Sequence, residues 1–155
     1  MYQTSHSLVA RLLGIAVRPE GVETMQLLEY GEITPEAGLA GDKRSRPGRR
    51  QVTLMSHSDW LQACAELGAE LDWTTRRANL LVDELPLYQS TGSFIQISDV
   101  LLEITGETDP CTKMEASYKG LYQALLPQWR GGVTCKVIQG GNFHCGDNVV
   151  LKPKI

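Results

Sequence analysis

A mainly β fold, a largely antiparallel β-barrel with helices packed outside it, is the class this sequence predicts. Strand-like apolar runs are short and separated by glycine-containing turns, and only two stretches keep a helical period. No internal repeat or low-complexity tract interrupts this pattern.

Taken in order, Leu8 to Val17 reads as the first strand and Thr24 to Tyr30 as the second, with Pro19 and Gly21 turning the chain between them. Gly31 to Gly41 is rich in breakers and reads as a loop, ending Gly38-Leu39-Ala40-Gly41-Asp42. Lys43 to Arg50 is a basic loop, because Pro47-Gly48 interrupts any helix there; Gln51 to Met55 is a short strand. Ser56-His57-Ser58-Asp59 has the form of a capping box. The helix it opens carries Trp60, Leu61, Cys64 and Leu67 on one face and stops at Gly68. Leu80-Leu81-Val82 is another short strand, and Phe94 to Ile97 pairs with Val100 to Ile104 around Ser98-Asp99. A second helix is predicted from Thr112 to Leu126, then strands from Val133 to Ile138 and from Asn148 to Leu151.

A chain of 155 residues is most simply one domain, residues 1–155. At that size about 70% of the unfolded surface is buried on folding. No apolar run approaches a membrane span, and the N-terminus lacks a basic region followed by an apolar block. A cytoplasmic location with no membrane partner is the expectation. The four cysteines show no CxxC pair and no zinc spacing. They read as reduced thiols, with Cys64, Cys135 and Cys145 structural.

Net charge is −3, yet Lys43, Arg44, Arg46, Arg49 and Arg50 fall within eight residues that contain no acid. Removing those five from the fifteen basic residues leaves ten against eighteen acidic ones elsewhere. Positive charge this local suits a small anionic ligand and argues against a nucleic-acid partner. Arg76 and Arg77, ahead of Asn79, form a second basic locus and Arg130 a third. No phosphate-binding loop or dinucleotide fingerprint is present. His57 reads as a first-turn residue, His6 lies near the terminus, and His144-Cys145 alternate across a strand, so no Cys/His pair is visible.

Cys111 is the candidate for chemistry. It follows the strand Val100 to Ile104 and opens the second helix, with Asp109 as the expected cap and Pro110 as the first helical residue. A helix terminus contributes about 0.3–1 kcal/mol to an anion, which is under roughly one pKa unit. A free thiol titrates near about 8.5, so nearby cations must supply the rest of any thiolate stabilisation.

These pieces together resemble the MOSC domain, the module named for the C-terminal part of molybdenum-cofactor sulfurase. The resemblance runs from about Leu13 to Leu151. It rests on Gly38-Leu39-Ala40-Gly41-Asp42, Arg49-Arg50-Gln51-Val52-Thr53-Leu54, Arg76-Arg77-Ala78-Asn79-Leu80 and Leu102-Glu103-Ile104-Thr105, followed by Asp109-Pro110-Cys111. Arg130-Gly131-Gly132-Val133, Gly140-Gly141 and Gly146-Asp147 complete the set in the family's order.

The resemblance implies a barrel whose cysteine maps onto Cys111, where relatives carry a persulfide or ligate molybdenum in a pterin cofactor. Two readings follow from it. In the first, a standalone protein binds the molybdenum cofactor (molybdopterin) through Cys111 as metal ligand. Lys43, Arg44, Arg49, Arg50, Arg76, Arg77, Asn79, Asp109 and Arg130 form its cofactor pocket, and a redox partner supplies electrons for reducing N-hydroxylated substrates. In the second, the chain is a non-catalytic sulfur carrier that takes a persulfide on Cys111 from a cysteine desulfurase partner. The pyridoxal-phosphate domain of fused relatives is not expected in this chain.

Overall fold

The computed structural model describes residues 8–43, 47–110 and 112–154. Its strands are β1 (Leu8–Val17), β2 (Gln26–Leu28), β3 (Tyr30–Thr34), β4 (Gly38–Leu39), β5 (Val52–Ser56), β6 (Leu80–Val82), β7 (Phe94–Ile97), β8 (Val100–Glu107), β9 (Val133–Gln139), β10 (Gly141–His144) and β11 (Asn148–Lys152). Three α-helices lie among the described residues: α1 (His57–Leu67), α2 (Thr112–Ser117) and α3 (Leu121–Leu125).

Seven strands close into a barrel, in the order β1-β11-β7-β8-β9-β5-β6 and back to β1. Every pairing in that ring is antiparallel except β5 with β6. The exception follows from connectivity, because α1 carries the chain from β5 across to a parallel neighbour. β2 extends the sheet beside β1, and β3, β4 and β10 form a separate three-stranded sheet. The interior is filled by alternating strand residues such as Leu12, Ile15, Leu54, Leu80, Ile95, Leu102 and Val149. A second apolar cluster joins Trp60, Ala63 and Cys64 of α1 to Leu121 and Leu125 of α3, over Met55 and Leu81 from the barrel wall.

Several elements depart from the sequence expectation for identifiable reasons. The strand expected from Thr24 to Tyr30 divides, because its two halves pair with different partners, β2 with β1 and β3 with β10. The expected loop from Gly31 to Gly41 contains β3 and β4, joined by a tight turn. Ser56 does sit at the N-cap of α1, but its hydroxyl pairs with Ser58 Oγ at 2.9 Å in place of capping the helix. Leu61 points outward, 54% exposed, so the buried face of α1 is narrower than its periodicity implies.

The long second helix is broken. Gly120 takes a left-handed φ of 92°, and the Glu115 carboxylate accepts N–H bonds from Gly120 at 2.9 Å and Tyr122 at 3.4 Å, holding α3 across the break. α2 begins at Thr112, so Asp109 and Pro110 precede it. His6, Arg44, Arg46 and Cys111 lie outside the described residues.

Candidate functional site

One cavity of about 180 Å³ gathers segments that are distant in the chain. Arg18 follows β1, Asp42 and Lys43 follow β4, Arg50 and Gln51 precede β5, and Thr53 lies within it. Arg76, Arg77 and Asn79 come from the approach to β6, and Thr108, Asp109, Lys113 and Met114 from either side of Cys111. Among the described residues the lining therefore carries six cationic side chains against two carboxylates, Asp42 and Asp109.

Short polar contacts fix this lining. The Asp42 carboxylate accepts the Arg18 N–H at 2.9 Å while the Lys43 N–H donates to the Arg18 carbonyl at 2.8 Å, so the Gly41-Asp42 turn is tied to the end of β1. Asn79 joins three strands. Its Oδ1 accepts from the Thr53 N–H at 3.1 Å, its Nδ2 donates to the Ala16 carbonyl at 3.1 Å, and its own N–H donates to Thr53 Oγ1 at 3.0 Å. The Asn79 side chain thus holds the cavity wall. Gln51 does similar work deeper in, donating to the Pro35 carbonyl at 2.7 Å and accepting the Val137 N–H at 2.8 Å.

Arg76 is buried and donates from Nε to the Gly131 carbonyl and from Nη2 to the Thr108 carbonyl. Arg77 is exposed with a left-handed φ of 66°, and its Nη2 reaches the Glu23 carbonyl at 3.4 Å. Thr108 Oγ1 is buried and, among the described residues, finds no hydrogen-bond partner. Burial, with Asp109 adding to it and Arg76 opposing it, raises the Glu107 carboxyl above its ordinary range.

Of the residues expected at the site, Lys43, Arg50, Arg76, Arg77, Asn79 and Asp109 line this cavity. Arg49 and Arg130 do not. Arg49 is exposed and bonds the Thr105 carbonyl at 3.3 Å. Arg130 lies between α1 and α3, where its two terminal nitrogens each approach a Glu66 carboxylate oxygen at 2.8 Å. That hydrogen bonding holds the Glu66 carboxyl below its usual range. Cys111 and Arg44 lie outside the described residues; Asp109 and Lys113, two positions before and after Cys111, both line the cavity.

Sequence reasoning missed Arg18, Lys113 and the orphan hydroxyl of Thr108. Lys113 was signalled by its place beside Cys111, whereas Arg18, a lone cation before Pro19, gave no sign of its role. The other thiols differ in kind. Cys135 is fully buried and burial pushes its thiol up to about 12. Cys64 is buried on α1, and burial raises the half-buried Cys145. Among the described residues no group of three or more His, Cys, Asp or Glu could hold a metal ion, and no helix is long and apolar enough to cross a membrane.

A family model for the MOSC domain matches residues 35–150. Among solved structures, the YuaD protein from Bacillus subtilis is similar at 18% identity and a TM-score of 0.82, covering 97% of this chain and 99% of that one. YiiM from Escherichia coli is similar at 17% identity and a TM-score of 0.71, covering 94% and 71%. YiiM from Geobacillus stearothermophilus gives 14% identity and 0.73, covering 92% and 74%. At such identities these likenesses show the fold. No curated protein matches the chain by sequence.

Proposed function

Because this chain belongs to the MOSC domain family, we propose that its cationic cavity binds the molybdenum cofactor, with the Cys111 thiolate as the protein's ligand to the metal. The observation that carries this reading is the cavity itself. Among the described residues five cations from segments far apart in sequence line it together with Asp109 and Lys113, the flanks of Cys111 in the chain. Like charges repel and assemble at a cost unless an anion offsets them.

The donor set fits the group. Lys43, Arg50, Arg77 and Lys113 would hold the pterin phosphate by charge-assisted hydrogen bonds. A thiolate is a soft ligand suited to a metal of this kind. The buried Thr108 hydroxyl offers one more polar contact if it turns toward the cavity. When bound, the cofactor supplies two-electron redox chemistry at the metal, which suits reduction of N-hydroxylated substrates with electrons from a separate partner. The chain's own residues orient the anion and stabilise the thiolate.

The sulfur-carrier reading draws on the same cavity, because cations beside Cys111 would equally stabilise the thiolate that carries a persulfide. Elemental analysis separates the two, using protein purified gently from a host that makes the cofactor. Stoichiometric molybdenum supports the first reading. A mass gain of one sulfur atom on Cys111 without metal supports the second, and neither species would overturn both.

A further inference from the structure

Arg76 lines the cavity, yet only 7% of its surface is exposed. Its Nε donates to the Gly131 carbonyl at 3.1 Å and its Nη2 to the Thr108 carbonyl at 3.0 Å. These acceptors belong to the segment entering β9 and the segment leaving β8, which are also joined by the Thr108 N–H to the Gly132 carbonyl at 2.9 Å. A guanidinium presents its donors in a rigid planar fork and fixes two separated acceptors at once. An ammonium on a flexible stem is a single point and does not.

Space around the fork is closed. A Cβ placed on Gly131 would stand 3.1 Å from the Thr108 carbonyl oxygen and 3.2 Å from both Arg76 Nε and Nη2. Glycine at 131 is what lets the backbone approach the guanidinium. Thr108 precedes Cys111 by three residues, so the two Cα atoms are within about 11 Å on any path the chain takes.

We infer that Arg76 is a positioning residue. By gripping the Thr108 and Gly131 carbonyls it holds the stretch Thr108-Asp109, which lines the cavity and leads into Cys111 in the chain. This rests on the reading of Cys111 as the site's thiolate. Arg76 acts through backbone geometry, and the exposed cations Lys43, Arg50, Arg77 and Lys113 act on the ligand directly.

The test is iodoacetamide alkylation of Cys111 in the native full chain at neutral pH, followed by peptide mass mapping beside a thermal melt. Arg76→Ala is expected to slow Cys111 roughly 10-fold, the change that follows if leaving the cationic lining raises the thiol by about one pKa unit. Arg76→Lys keeps the charge but recovers little of the rate. Added methylguanidinium restores much of the Arg76→Ala rate, and methylammonium does not. Gly131→Ala slows Cys111 with no charge removed.

Unchanged or faster alkylation in Arg76→Lys overturns the inference, as does an Arg76→Ala protein that melts lower yet reacts at the wild-type rate. Should Arg76→Ala fail to fold, Gly131→Ala decides, and a wild-type rate there overturns the inference equally. If wild-type Cys111 reacts no faster than buried Cys135, the thiolate reading fails and the inference falls with it. That outcome is distinct from a fast wild-type thiol whose variants are unchanged.

Discussion

Two arginines are each 7% exposed and attached to the same Gly131-Gly132 segment, Arg130 by preceding it in the chain and Arg76 by bonding the Gly131 carbonyl, yet they serve different regions. Arg130 faces the helices. Both of its terminal nitrogens meet Glu66 at 2.8 Å, and Nη1 also donates to the Ala124 carbonyl at 3.0 Å. Arg76 lines the cavity, and the Thr108 and Gly131 carbonyl oxygens are among its hydrogen-bond acceptors. A guanidinium matched to a carboxylate is a strut, with its charge neutralised inside the protein. Among the described residues the cavity lining carries six cations against two carboxylates, with Glu23 3.9 Å from Arg18, and the proposed function expects net positive potential there. Both arginines read alike in sequence. Their partners, brought in by the fold, set them apart.

The largest effect that tests this contrast is expected at the residue both regions share. A Cβ on Gly132 would lie 2.3 Å from the Leu54 carbonyl oxygen, at a φ of 97° that side chains rarely adopt. Gly132→Ala should therefore cost about 3–5 kcal/mol and lower the melting temperature sharply. It should damage the helix side and the cavity side together. A stable Gly132→Ala protein would show that the segment does not link them.

Next in size is Arg130→Ala. It removes the Glu66 pairing and the bond to the Ala124 carbonyl, and should lower the chemical-denaturation midpoint by less than Gly132→Ala does, because solvent screens the exposed Glu66 carboxylate. Cys111 alkylation should stay at the wild-type rate, because Arg130 does not line the cavity. A slowed thiol in this variant would erase the distinction between the two arginines.

The smallest expected effect concerns Asp59, on the helix side. Burial raises its carboxyl from 3.8 to about 6, with Arg130 pulling it down and Glu84 adding to the rise. Between about pH 4 and pH 6 the native chain keeps a proton that the unfolded chain has released, so this group's contribution to stability falls as pH rises through that window. Asp59→Asn should flatten that part of the stability profile. At neutral pH it should stabilise by less than about 1 kcal/mol, since solvent screens a half-buried carboxylate and its charge helps the first helical turn. A pH profile identical to wild type in urea melts would count against the shift.

The barrel was legible because strand burial is a local, period-two signal. β1, β6 and the β7–β8 hairpin fall where alternation and turn residues place them. β4, only Gly38–Leu39, was not, because two breaker-flanked residues become a strand only when β3 lies beside them. The break at Gly120 was signalled by the glycine itself, but the apolar spacing of Tyr118, Leu121 and Tyr122 runs straight through it.

The cavity's cations were visible as clusters, while their convergence was not. It depends on contacts such as Asp42 with Arg18 and Asn79 with Thr53, which span 24 and 26 residues. The same limit hid the roles of Asn79 and Arg130. Each was expected in the cofactor pocket; the Asn79 amide bonds strand backbone in the cavity wall, and the Arg130 guanidinium pairs with the Glu66 carboxylate between the helices.

The measurement that tests the account most directly is a native-state alkylation time course resolving all four cysteines by mass mapping, with and without inorganic phosphate. Cys111 is predicted to react first, by roughly 10-fold over Cys145 if its thiolate is stabilised by about one pKa unit. Phosphate in the cationic cavity should slow Cys111 alone, and Cys135, whose thiol is pushed up to about 12, should react last. Cys111 alkylating no faster than Cys135, and indifferent to phosphate, would contradict the account.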